Sequence, residues 1–97
     1  MQLQISDDSM APALDEGDIV DVIKTKRLEV GCIYLLTICN RPMIRLYTED
    51  KAGYLFTPLN LQWYKPEFVR RERRKDIKVC GRIETTHKKL YLDPSLL

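Results

Sequence analysis

Residues 8–22 read DSMAPALDEGDIVDV, and several local signals meet in that stretch. Ser9 stands beside Asp7 and Asp8. Pro12 suits the first position of a short helical segment, so Ala11–Glu16 is expected to form one helical turn at most. Gly17–Asp18 marks a turn. Ile19–Lys24 then alternates, with Ile19, Asp21 and Ile23 on one side and Val20, Val22 and Lys24 on the other, which is the period of a strand. Taken alone, Ser9 reads as an N-cap or as a hydroxyl bonded to a nearby amide.

On either side of this stretch, short strands dominate. Gln2–Ile5 is a brief candidate. Gly31–Cys39 carries the strongest strand signal, because Ile33, Tyr34, Leu35, Leu36, Thr37 and Ile38 are β-branched, aromatic or aliphatic. Asn40–Arg41 is the expected hairpin turn. Pro42–Tyr47 returns antiparallel, with Pro42 at a strand start where a missing N–H costs least. Glu49–Gly53 is a further turn and Tyr54–Thr57 a further strand. Pro58–Phe68 reads as an ordered loop held by Trp63 and Tyr64. Asp76–Thr85 is a long strand with a bulge or close backbone contact expected at Gly81, and Lys88–Leu92 is a candidate edge strand. The pattern implies an all-β domain, a partly closed barrel of short strands with at most one short helical turn.

The chain has 97 residues, enough for one small domain spanning 1–97 and one core. The net charge of +2 does not compel a nucleic-acid reading, but its distribution is lopsided. Asp7, Asp8, Asp15, Glu16, Asp18 and Asp21 precede the first Lys or Arg, whereas Arg70, Arg71, Arg73, Arg74, Lys75 and Lys78 crowd together further on. That basic patch reads either as a solvated face or as a contact for phosphate or an acidic partner. Cys32, Cys39 and Cys80 form no CxxC pair, and two lie in apolar runs, where a small buried thiol is the ordinary reading. No cofactor or metal site is expected. A reducing compartment, the polar start and the absence of a long apolar run imply a cytoplasmic chain with no membrane segment.

The stretch from Asp8 to Val22 resembles the nucleophile region of the LexA-like serine peptidases (the S24 family, which includes phage repressors and is related to signal peptidases). The resemblance continues through Gly31–Tyr34, Arg45–Leu46, Leu55–Pro66 with Asn60, and Val79–Gly81–Arg82–Ile83, in the family's order. It implies a LexA/signal-peptidase-like fold. It also implies a serine nucleophile at Ser9, an oxyanion-hole region at Ser9 and Met10, and a neutral lysine that removes the hydroxyl proton. The Met10 side chain is expected on the substrate side.

The resemblance places that lysine directly before the arginine–leucine pair, and this chain has Ile44 there. Isoleucine has no proton-accepting atom, though it fills the space of a lysine stem. Arg45 is expected to point to the opposite face of the strand, and guanidinium stays protonated. Asp7 and Asp8 are expected to face water, and a carboxylate is a weaker base than a neutral amine. Lys51 falls in a turn, and His87 stands in a charged setting. The family usually has glycine where this chain has Asp7, which bears on function if the backbone there needs positive φ.

With the lysine missing, the resemblance implies a degenerate peptidase that acts by association, as the dimerisation domain of a LexA-like or phage-repressor-like transcriptional regulator. DNA binding is then expected from an N-terminal domain, since the eight residues before Ser9 leave no room for one or for a cleavable loop. Val79, Ile83, Leu90, Tyr91 and Leu92 are the candidate homodimer surface. Two alternatives stay open: a self-cleaving serine peptidase with an unrecognised base, and a phage or mobile-element accessory protein that binds a host protein.

Overall fold

The structure is a computed structural model that describes residues 1–84. Among these residues, seven strands form one antiparallel sheet: β1 Gln2–Gln4, β2 Ile19–Lys24, β3 Ile33–Ile38, β4 Arg41–Glu49, β5 Gly53–Thr57, β6 Glu67–Arg70 and β7 Ile77–Glu84. Their spatial order is β1-β2-β7-β3-β4-β5-β6. The sheet curls into a half-barrel, as the all-β reading expects. The candidate strand Lys88–Leu92 lies outside the described residues.

Alternation on β3 creates two cores. Tyr34, Leu36 and Ile38 face a cluster with Tyr47, Phe56, Val69 and Ile77. Ile33 and Leu35 face the other way, against a cluster of Ile5, Met10, Leu14, Val20, Val22 and Ile83. The connection from β1 to β2 supplies Ile5, Met10 and Leu14 to this second cluster. It is therefore a cover laid over one face of the sheet, and the cover carries Ser9.

β7 serves both cores by means of a bulge. Leu35 pairs with Gly81 and Leu36 with Val79, so Cys80 is an extra residue. A one-residue slip turns every later side chain to the opposite face. Ile77 and Val79 therefore pack with the first cluster and Ile83 with the second, although all three have odd numbers. Gly81 permits close approach of β2, because a Cβ there would lie 2.5 Å from Val22 Cγ1 and 2.8 Å from the Ile23 carbonyl oxygen. Gly81→Ala is expected to destabilise the domain by about 1–3 kcal/mol through overpacking, measured by urea unfolding; an unchanged midpoint would contradict the close approach.

Several local expectations shift. The β3–β4 turn is Cys39–Asn40, with φ of 49° and 67°, as in a two-residue type I′ hairpin; the strand resumes at Arg41. Ala11–Glu16 forms no helix: one helical hydrogen bond, from Leu14 N–H to the Met10 carbonyl, closes a turn that goes no further. The described helical element is instead a 3₁₀ segment at Arg71–Asp76. Phe68 belongs to β6, not to the preceding loop. Cys32 is half-buried, whereas Cys39 and Cys80 are exposed, because one sits in the hairpin turn and the other on the bulge.

Candidate functional site

β4 extends past β5. The β4–β5 ladder runs from Leu46↔Thr57 to Glu49↔Tyr54, while β4 begins at Arg41. Tyr47 exchanges backbone hydrogen bonds with Cys32 and Gly31 on the β3 side. By alternation, Pro42 and Ile44 direct their backbone groups to the side that β5 has left. Proline at position 42 thus forfeits no ladder bond.

The Ser9 segment and the loop after β5 close around this open edge. Ser9 is 1% exposed. Its Oγ donates to Asp7 Oδ1 at 2.7 Å and accepts from Arg45 Nη1 at 3.0 Å. The same Arg45 nitrogen donates to the Ile44 carbonyl at 2.7 Å. Two bonds through one nitrogen place that carbonyl oxygen within about 5.7 Å of Ser9 Oγ. Asp7 Oδ1 also accepts from the Ser9 backbone N–H at 3.0 Å, the geometry of an Asx turn. Asp7 is not among the residues with positive φ, so this backbone does not need glycine.

A second set of bonds holds the loop to the Ser9 segment. Asn60 N–H donates to the Ser9 carbonyl at 2.9 Å, and its side-chain amide donates to the Asp8 carbonyl at 3.1 Å. Tyr64 Oη donates to Asp8 Oδ1 at 2.6 Å, and the Arg45 guanidinium lies 5.9 Å from the Tyr64 ring centre, within cation–π range. Burial pulls the Arg45 guanidinium below its ordinary pKa, while Asp7, Glu67 and Tyr64 oppose that shift. Arg45 Nε is buried without a hydrogen-bond partner among the described residues.

This geometry corrects two readings. The Arg45 guanidinium reaches Ser9, because among the described residues no strand pairs with β4 on its β5 side between Arg41 and Arg45, and a long side chain can fold around that open edge. Asp7 is exposed overall, but its carboxylate binds the serine. Ile44 belongs to the apolar side: it packs against the second cluster and lines a surface depression with Ile5, Met10 and Leu35. Met10 is 1% exposed and serves as core as well as wall. Tyr64 had no signal in the sequence beyond its aromatic ring.

Ile83 is buried and unavailable to a partner, since the bulge turns it into the second core. Val79 is half-buried against the first cluster. Leu90, Tyr91, Leu92 and His87 lie outside the described residues.

The basic residues do not behave as one patch. Arg71 donates to the Lys51 and Asp50 carbonyls, and both Arg71 and Arg74 lie over Tyr54. Arg73 pairs with Asp76 at 2.7 Å. Arg70, Lys75 and Lys78 are exposed. No helix among the described residues is long and apolar enough to cross a membrane.

The Peptidase S24-like family model matches residues 1–84. The chain belongs to the Peptidase S24-like family. No curated protein gives a significant match. In this S24-like domain, the described side chains bonded to Ser9 are a carboxylate and a guanidinium.

Proposed function

We propose that this S24-like domain is a non-hydrolysing association module of a LexA-like or phage-repressor-like regulator, acting as a homodimer in the cytoplasm and linked to DNA through another domain. The observation that carries the reading is the clamp on Ser9. Nucleophilic attack needs a base to accept the hydroxyl proton. Among the described residues, the hydroxyl hydrogen-bonds to Asp7, a carboxylate and so a far weaker base than a neutral amine, and the cation on the other side is a guanidinium that does not give up its own proton at neutral pH. The Ser9 N–H, a candidate oxyanion donor, is taken by the same carboxylate.

Association draws support from the loop bonded to the Ser9 segment. Leu61 and Trp63 are 59% and 73% exposed there, and an exposed tryptophan beside a polar rim suits a protein contact. Two measurements test the proposal. A fluorophosphonate probe is expected to leave Ser9 unlabelled, and labelling that disappears in Ser9→Ala would overturn the non-hydrolysing reading. Sedimentation across a concentration series should show a dimer weakened by Trp63→Ala; a strict monomer at high micromolar concentration would remove the association reading.

A further inference from the structure

A separate surface carries charge that the Ser9 site does not use. Along β2 the chain passes from Asp18 and Asp21 to Lys24, Lys26 and Arg27. β7 runs antiparallel to it, pairing Asp21 with Glu84 and Lys24 with Gly81. The start of β7 therefore lies at the basic end of β2. There Lys26, Arg74 and Lys78 line one depression with Ile77 and Val79. These cations come from three places in the chain: the β2–β3 connection, the 3₁₀ segment and β7. The sequence run Arg70–Lys78 foretells only part of this convergence.

The cations are available. Lys26, Lys75 and Lys78 are exposed and form no ion pair among the described residues. Arg74 is held in place by its bond to the Ile77 carbonyl at 3.1 Å and by the Tyr54 ring. The neighbouring Asp76 carboxylate is engaged by Arg73.

We infer that this face binds the phosphate backbone of duplex nucleic acid without reading its sequence. Phosphate neutralisation needs clustered Lys and Arg and little else. A protein partner would need an apolar anchor at the centre of the patch. Here Ile77 is 4% exposed and Val79 half-buried, so the floor offers little to grip. Among the described residues no exposed aromatic lines the depression, so they offer single strands no stacking platform. No helix among the described residues is placed to enter a groove and read bases. The acidic end of β2 would orient the domain by repelling the same polyanion.

Fluorescence anisotropy with a short labelled DNA duplex of arbitrary sequence tests the inference. Binding is expected at low salt, falling by at least tenfold between about 50 and 200 mM KCl, as release of several counterions requires. Lys26→Glu/Lys78→Glu should reduce affinity at least about tenfold at the lower salt, in keeping with two lost phosphate contacts and two added repulsions, with an unchanged melting profile. Lys65→Glu, outside the depression, should leave binding as in the wild type. No wild-type binding at low salt, or equal loss in both variants, would overturn the inference. So would equally tight binding of a poly-glutamate peptide, which would point to an acidic protein. These outcomes do not depend on Ser9 reactivity or on dimer formation.

Discussion

Phe56→Ala is expected to lower the melting temperature by roughly 15–30 °C, the shift for a loss of about 3–5 kcal/mol in a domain of this size. Phe56 is fully buried in the first cluster, and its ring centre lies 5.4 Å from that of Tyr47. The cluster closes within the curl of the sheet, so few neighbours can collapse into the space of a lost ring. A domain of this size has about 5–15 kcal/mol in total, and the loss would consume much of it. Phe68 is the contrast. It lies on the adjacent edge strand, pairs across from Leu55 and is 47% exposed. Phe68→Ala should cost about 1 kcal/mol or less. Thermal melts followed by circular dichroism separate the two; equal shifts would mean that the first core is not where the structure places it.

How far the fold could be read in advance depended on which residues carried the signal. Ile33–Ile38 announced a strand because a run of β-branched, aromatic and aliphatic residues is a local signal, and the two faces of that strand build both cores. β6 gave no comparable signal, since Val69 is its only buried residue and the aromatic Phe68 faces outward. Gly81 pointed to a bulge or close contact, but the switch of Ile83 from one face to the other depends on pairing with β3, which a single strand's sequence does not express. At the site, Ser9 and Ile44 were visible as residues in a familiar order. The Arg45 contact was hidden, because alternation fixes only the direction in which a side chain leaves the backbone, and a long one can bend back. Among the described residues no strand covers the β5 side of β4 at Arg41–Arg45, and there the guanidinium folds round to Ser9. The Asp7 bond is local, yet an exposed aspartate gives no sign that one of its oxygens serves both the N–H and the hydroxyl of a buried serine.

Asp7→Gly/Ile44→Lys is expected to make Ser9 react with a fluorophosphonate at least about 100-fold faster than the wild type, the lower end of what a positioned general base contributes. The two substitutions address different parts of the clamp. Removing the Asp7 carboxylate frees the hydroxyl proton and releases the Ser9 N–H to face an oxyanion. Lysine at position 44 would enter the apolar wall shared with Ile5, Met10 and Leu35, where loss of hydration favours the neutral amine and lowers its pKa. The neighbouring Arg45 cation acts in the same direction. Reactivity should therefore rise with pH through that lowered pKa, because only the neutral amine accepts a proton. Ile44→Lys alone should react more slowly, since Asp7 still holds the hydroxyl, and Ile44→Met should match the wild type. Adding Ser9→Ala to the double variant should abolish labelling. A folded double variant, checked by its urea transition, that stays unlabelled would mean that position 44 cannot deliver an amine to Ser9. Labelling of the wild type at the same rate would mean that the Asp7–Arg45 clamp leaves the serine active.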